Sequence, residues 1–111
     1  MTISYEEFLA VDMRVGKITR VEHFEKARKP AYKLWIDFGS EIGTKQSSAQ
    51  LTVKYSKQDL QDRLIVAVVN FAPKQIADFR SEVLVLGTEE VKNAVVLLDP
   101  GQSAVIGSRV F

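Results

Sequence analysis

The sequence predicts an all-β fold, a five-stranded barrel in Greek-key order with one short helix between its third and fourth strands. Three observations predict this fold: short segments rich in β-branched residues, turn residues between these segments, and a single helix-forming stretch after the third segment. The chain has 111 residues, of which 46% are hydrophobic and 26% are charged, as in an ordinary globular domain. We therefore expect a single domain over residues 1–111, with the barrel at about 12–98.

The first elements follow from local signals. Ser4 and Glu7 have the spacing of a capping box, which predicts a short helical turn around 5–10. Residues 13–24 are rich in β-branched side chains and form the first strand. Their alternation slips near Gly16, where we expect a bulge that lets a small barrel curl.

The next segments supply two more strands. Residues 25–31 form a charged loop, and residues 32–38 show the cleanest period-two alternation in the chain. Gly39 and Gly43 bracket a turn, and 44–53 continue as a strand of unusually small and polar side chains.

The second half completes the barrel. Residues 56–62 favour a short helix, and the continuous apolar run 64–69 is typical of a strand buried on both faces. A long connection over 70–80 precedes two further strands at 83–86 and 91–98. These six segments predict a five-stranded Greek-key barrel of the OB type with an accessory strand, the N- and C-terminal segments lying outside it.

The overall charge of +1 conceals a strong segregation. Ten Lys and Arg against four Asp and Glu give residues 14–57 a charge of +6, whereas residues 1–13 carry −3 and residues 58–111 carry −2. A nucleic-acid partner normally requires a basic region, and this distribution supplies one that the total hides.

The composition argues against catalysis. The chain has no Cys, a single histidine (His23) and six glycines that are scattered singly. Disulfides, zinc–thiolate sites, thiol nucleophiles and glycine-rich phosphate loops are therefore excluded, and one histidine is poor material for a metal site or a catalytic triad. We expect a protein that is not an enzyme and that holds no metal or cofactor.

The apolar runs bear on location. The first residues have neither a basic region nor an apolar stretch of the kind that forms a signal peptide, and the longest apolar runs are too short for a membrane helix. We therefore expect a cytoplasmic protein without membrane insertion.

A basic and aromatic segment is the first candidate site. Its cations lie within eight residues, beside two aromatic rings: Lys26, Arg28, Lys29 and Lys33, with Tyr32 and Trp35. OB folds bind extended polymers with such a combination, because cations attract a charged backbone and flat rings stack on bases or pack on apolar groups. The alternative is a solvated loop and one Trp that covers a barrel end.

The third strand is the second candidate. Lys45, Ser47, Ser48 and Gln50 lie in a stretch with no bulky side chain on either face. Small side chains permit close approach of a ligand backbone and offer hydrogen bonds to it. Equally, such a strand could be a thin edge that is kept polar to prevent aggregation.

Two apolar segments suggest contacts with other molecules. Phe71, Ile76 and Phe79 lie in the 70–79 connection and either plug a barrel end or line a groove for a peptide or a second subunit. Apolar residues in the terminal segments are costly to leave in water, and we expect them in a dimer interface: Phe8, Val105, Ile106, Val110 and Phe111.

Together these segments resemble the tRNA-binding-domain family of OB folds, and specifically its bacterial CsaA subgroup of export-related chaperones. The resemblance covers nearly the whole chain and rests on five stretches: Asp12–Ile18, Glu25–Trp35, Lys45–Gln50, Val69–Lys74 and Ser81–Gly87. Members that bind tRNA have a motif with two glycines and a serine at the place of residues 76–83. This chain lacks both glycines there and keeps the serine, as Ser81. The resemblance implies a homodimer held by its terminal segments.

Two functional hypotheses result. In the first, an ATP-independent export chaperone binds unfolded or export-bound polypeptides, using Trp35, Phe71, Ile76 and Phe79, with Lys29 and Lys33 attracting carboxylates. In the second, a tRNA-binding module recognises tRNA through a basic OB face, which comprises Lys26, Arg28, Lys29, Lys33, Lys45, Ser47, Ser48, Gln50 and Ser81, with Trp35 or Tyr32 stacking on bases.

Overall fold

The computed structural model describes residues 1–111. It contains three short helices, α1 (Tyr5–Ala10), α2 (Gly39–Ile42) and α3 (Lys57–Leu60). Its nine strands are β1 (Met13–His23), β2 (Tyr32–Asp37), β3 (Thr44–Ala49), β4 (Leu64–Val68), β5 (Lys74–Ile76), β6 (Phe79–Ser81), β7 (Leu84–Val85), β8 (Gly87–Glu89) and β9 (Val95–Leu97).

Five of these strands form the barrel sheet, in the antiparallel order β3-β2-β1-β4-β7. The two edge strands of this sheet, β3 and β7, approach each other. A hydrogen bond near this seam shows it: the Glu82 N–H donates to the Gln46 carbonyl at 2.8 Å. The Ser47 hydroxyl also donates to the Val83 carbonyl, at 3.0 Å. The predicted five-stranded OB-type barrel, nearly closed, is confirmed, and a short helix (α3) lies between the third and fourth strands.

The bend in β1 was expected near Gly16, and that prediction was wrong. The pairing of β1 with β2 shifts register between Ile18 and Arg20, two to four residues further on. Gly16 instead allows close packing: a Cβ there would lie 2.5 Å from Ile36 Cγ2 and 2.6 Å from Phe38 Cε1. A glycine is therefore required because the side chains of the barrel interior leave no room for a Cβ. The bulge that follows it reverses which β1 residues face outwards.

The barrel interior is filled from alternating positions of the strands. Leu34, Ile36 and Ile65 are completely buried within a cluster of thirteen core residues. Tyr32 and Tyr55 bring polar atoms into this core, and each is satisfied there. The Tyr32 hydroxyl donates to the Tyr55 carbonyl at 2.8 Å, and the Tyr55 hydroxyl accepts from the Leu97 N–H at 3.1 Å.

Both predicted helix starts are confirmed. Ser4 and Glu7 form a capping box at α1, and Ser56 and Asp59 form a second one at α3. The hydrogen bonds from Ser56 stabilise the ionised carboxylate and so lower the pKa of Asp59.

The second half of the chain is more finely divided than the sequence predicts. The connection over 70–80 contains a hairpin of β5 and β6, with Ala77 in the left-handed region at its turn. The third strand ends at Ala49 and not at residue 53. The predicted strand 91–98 is reduced to β9, which pairs with β8 outside the barrel sheet.

The terminal segments pack beside each other on the barrel. The Gly107 N–H donates to Val15, and the Val110 N–H donates to Met13, at 2.8 and 2.9 Å. Asp12 lies 2.6 Å from the Arg14 guanidinium, which raises the pKa of Arg14. None of the helices is long and apolar enough to cross a membrane.

Candidate functional site

The outer face of the barrel carries two rows of side chains across β1, β2 and β3. The strand register aligns Arg20 with Trp35 and Trp35 with Gln46 in one row. The neighbouring row contains Glu22, Lys33 and Ser48. The outward direction of Lys33 and Trp35, which the alternation of β2 predicts, is confirmed by the buried residues between them.

An aromatic cluster, defined here as Phe24, Trp35 and Phe79, covers part of this face. The Phe79 ring contacts the other two edge-on, with centroid distances of 5.5 Å to Phe24 and 5.8 Å to Trp35. The Lys33 ammonium lies 5.0 and 5.2 Å from the Phe24 and Phe79 ring centroids. Phe79 is buried, so its ring fastens the β5–β6 hairpin to the barrel.

The Trp35 ring is not open to solvent on both faces. The Arg20 guanidinium carbon lies 4.5 Å from the ring centroid, in a cation–π contact. Arg20 also donates a hydrogen bond to the Glu22 carboxylate, while its own side chain remains 62% exposed. The guanidinium is therefore the outermost layer above Trp35.

A second contact ties the hairpin to the charged loop. The Lys26 ammonium donates to the Asp78 carboxylate at 2.8 Å, across 52 residues of sequence. This hydrogen bond, together with the attraction between the opposite charges, raises the pKa of Lys26 and lowers the pKa of Asp78, because both favour the ionised forms. Both side chains are largely exposed, and the pair acts as a solvated clasp.

An apolar groove of about 530 Å³ is lined in part by the β5–β6 hairpin, through Lys74, Ile76 and Ser81. Phe71 lines it and is 56% exposed, which is unusual for so large a ring. Lys74 and Glu82 are its only charged lining residues, so the groove carries no net charge. The remaining lining residues are Ser48, Ala49, Gln50, Leu51, Ala72, Val83, Leu84, Val85 and Val95.

The six residues that the sequence suggests for polypeptide binding are separated by the fold. Phe71 and Ile76 line the apolar groove, and Ile76 also packs against the aromatic cluster, which contains Trp35 and Phe79 and has Lys33 over its rings. Lys29 lies in the exposed loop before β2. The 70–79 connection therefore both covers the barrel and borders a groove: Phe79 belongs to the covering layer, Phe71 lines the groove and Ile76 contacts both.

The residues suggested for tRNA binding are also distributed. Arg28 and Lys29 are exposed and form no ion pair, whereas Lys26 is held by Asp78. Lys33 covers the aromatic cluster, and Lys45 is half-buried.

The four polar residues of the same set lie near the barrel seam. Ser48, Gln50 and Ser81 line the apolar groove, and the Ser81 hydroxyl accepts from the Ser48 N–H at 3.0 Å. Ser47 is only 1% exposed, and its hydroxyl donates into the barrel wall. The suggestion that Ser47 offers a hydrogen bond to a ligand is therefore corrected: its hydroxyl helps to close the barrel.

The residues expected in a dimer interface fall into two groups. Phe8, Ile106 and Val110 are half-buried against the chain's own barrel. Val105 and Phe111 are exposed by 69% and 98%. Further exposed apolar side chains occur on and beside α1, namely Ile3, Tyr5, Leu9 and Val11. Arg109 donates to the carbonyls of Leu9 and Val11, which brings these two termini to the same region.

Three features of the site escaped the sequence analysis. Arg20 reaches Trp35 only because the bulge after Ile18 changes the phase of β1. Phe24, which follows the last residue of β1, is not among the predicted site residues, although its ring belongs to the aromatic cluster. The groove wall of Leu84 and Val85 comes from packing between distant segments, for which the sequence carries no local signal. No group of three or more His, Asp or Glu side chains converges where a metal ion could bind.

Comparison with known proteins identifies the family. The sequence profile of the tRNA binding domain matches residues 13–109, which is most of the chain. The chain belongs to the tRNA-binding-domain family. Within it the chain is of the CsaA type, because two solved CsaA structures match it over nearly its whole length.

The first of these is chaperone CsaA of Bacillus anthracis, which is 49% identical, with a TM-score of 0.93 over 100% of both chains. The CsaA chaperone protein of Picrophilus torridus is 50% identical, with a TM-score of 0.92 over 99% of this chain and 100% of the other. The methionine–tRNA ligase of Thermococcus onnurineus is 34% identical over 97% of this chain. The chain spans only 14% of the length of that ligase.

Proposed function

We propose that this protein is a chaperone that binds unfolded or export-bound polypeptides in its apolar groove, without ATP and without catalysing a reaction. The observation that carries the proposal is the exposed Phe71 ring above a groove of about 530 Å³. A contiguous apolar surface that remains in water marks a binding site in a folded protein. The likeness to two proteins described as chaperones supports the same function.

The charge of the groove favours a polypeptide as its occupant. Lys74 and Glu82 balance each other, so the groove offers no field that would attract a polyanion. Apolar side chains of an unfolded segment would gain from burial against Phe71, Leu84 and Val85 at roughly 25 cal/mol per Å² of apolar area removed from water. Such binding is driven by burial, and nucleotide hydrolysis supplies no part of it.

We propose further that the protein acts as a cytoplasmic homodimer. The exposed Val105 and Phe111 lie in the terminal segment that Arg109 holds against α1, where Tyr5 and Leu9 are exposed as well. Covering these side chains with a second copy would remove them from water. A dimer would carry two grooves, which increases the avidity for a long unfolded chain.

A second candidate function is tRNA binding, the function after which the family is named. One observation favours it in this chain: Arg28 and Lys29 are exposed cations without an acidic partner, on the loop between β1 and β2, beyond the row of Glu22 and Lys33 that adjoins the row of Arg20 and Trp35. Free cations beside planar groups suit a phosphate backbone with unpaired bases.

Titration of tRNA and of a chemically unfolded polypeptide, each at low and at physiological salt, tests the proposal. Apolar burial predicts polypeptide affinity that changes little with salt, whereas phosphate contacts give a log–log slope of about −0.7 to −0.9 for each contact. Phe71→Ala should lower polypeptide affinity, while Val91→Ala, at an equally exposed apolar residue outside the groove, should not. Binding of tRNA alone at physiological salt would contradict the chaperone function.

A further inference from the structure

Arg20 occupies an unusual position on the outer face of the barrel. Its guanidinium carbon lies 4.5 Å from the centroid of Trp35, the only tryptophan of the chain. Phe79 meets the same indole edge-on at an interplanar angle of 81°. One face of the indole is thus covered by a cation and Phe79 packs against the same ring, so a base cannot stack on the Arg20 side of Trp35 without displacing Arg20.

The guanidinium itself is free to take a further layer. The Arg20 side chain is 62% exposed, and its hydrogen bond to the Glu22 carboxylate holds the planar group in one orientation. A guanidinium plane stacks on nucleobases much as an aromatic ring does, and it loses little freedom when it is already held. The side of Arg20 that faces away from Trp35 is therefore a preformed platform.

We propose that Arg20 is the base-stacking residue of this face, so that an unpaired base, the guanidinium and the Trp35 indole form three layers. The inference rests on the nucleic-acid candidate function and specifies its ligand as single-stranded nucleic acid with exposed bases. Arg28 and Lys29 on the neighbouring loop would contact phosphates. Arg20 contributes a planar surface more than a charge, because Glu22 already neutralises it.

Charges near the platform support this division. Glu22 pairs with Arg20, and the next outward cation, Lys33, lies over the rings of Phe24 and Phe79. The Glu22 carboxylate offsets the attraction that Arg20 would otherwise exert on a phosphate. The stacking of an uncharged base does not depend on that attraction, so the site favours the base over the phosphate.

The test compares two single strands of about ten nucleotides, within the usual site size of an OB fold, one carrying bases and one abasic with the same phosphates. Arg20→Ala should weaken binding of the base-containing strand about tenfold, as expected when one base loses its stacking partner, and leave the abasic strand unchanged. Arg20→Lys should behave in the same way, because it keeps the charge and removes the plane. Arg28→Ala is the matched control and should weaken both strands.

Each other outcome is decisive. Equal weakening of both strands by Arg20→Ala would show a phosphate contact and overturn the stacking role. Tighter binding after Arg20→Ala would show that bases stack on the uncovered Trp35, which also overturns it. If neither strand binds the unaltered protein but tRNA does, the inference fails and the tRNA-binding function stands; if tRNA does not bind either, both fail. Unchanged circular dichroism and thermal midpoint of the Arg20 variants verify that they are folded.

Discussion

The aromatic cluster and the apolar groove share residues of one hairpin but differ in how far their aromatic rings are exposed. In the cluster, Phe79 is buried and every ring has a ring or a cation against it. In the groove, Phe71 is more than half exposed. The aromatic cluster is therefore packed within the protein, with cations as its outer layer, whereas the groove is an apolar surface that remains exposed.

This contrast explains why one short segment can serve two purposes. Phe71 and Phe79 are both aromatic and only eight residues apart, yet Phe79 is buried in the aromatic cluster, whereas Phe71 lines the groove and remains exposed. The identity of the side chain therefore says little about its role, and its exposure says more. The predictions below set the two regions against each other.

The largest difference should appear in stability. Phe79→Ala removes a buried ring and should lower the free energy of unfolding by about 3–5 kcal/mol. Phe71→Ala should change it by no more than about 0.5 kcal/mol, because the ring is exposed. Urea denaturation of both variants measures these two changes in the free energy of unfolding. Equal losses would show that Phe71 is a packing residue and that the groove is part of the core.

The next largest difference should appear in how the affinities for tRNA and for polypeptide depend on salt. Replacement of both Arg28 and Lys29 by alanine should reduce the slope of tRNA affinity against salt by about one for each lost phosphate contact. The same double variant should leave polypeptide affinity unchanged, because neither cation lines the groove. Parallel titrations with the two ligands check this. A matching loss of polypeptide affinity would mean that the loop and the groove act as one site.

The smallest effect concerns the clasp of Lys26 and Asp78, which joins the charged loop to the hairpin. Asp78 has a lowered pKa, so its contribution to stability is present above the unfolded value near 3.8 and is lost as the pH falls through the lower folded value. Lys26 has a raised pKa, so its contribution is present below 10.5 and is lost as the pH rises through the higher folded value. The clasp is thus intact at neutral pH.

Carbon NMR of the Asp78 carboxyl during an acid titration measures this clasp. The midpoint should lie below 3.8 and should rise towards that value in Lys26→Gln, because the cation and its hydrogen bond are the main causes of the shift. A midpoint that is the same in both proteins would show that the two side chains do not pair in solution.

Much of the fold could be predicted because it depends on local patterns. The alternation of β2, the apolar run of β4 and the two capping boxes each specify an element without reference to the rest of the chain. The bulge position could not be predicted, because the glycine that suggested it, Gly16, is a glycine for another reason. It is required by contact with Ile36 and Phe38, from another strand and the residue that follows it.

The candidate site was predictable only in part. Ser47 was suggested as a ligand contact from its polarity, but its register with Leu34 on β2 directs it inwards. The apolar groove is assembled from β3, the 70–76 segment, β7 and Val95, so no single window of sequence describes it. The basic loop with Arg28 and Lys29 was found because its cations are consecutive.

Hydrogen–deuterium exchange of the protein with and without an unfolded polypeptide tests the central claim most directly. If the groove holds the polypeptide, backbone amides in 48–51, 71–76 and 82–85 should exchange more slowly when it is bound, and amides in 26–35 should be unaffected. Protection confined to 26–35, with none around Phe71, would contradict the account.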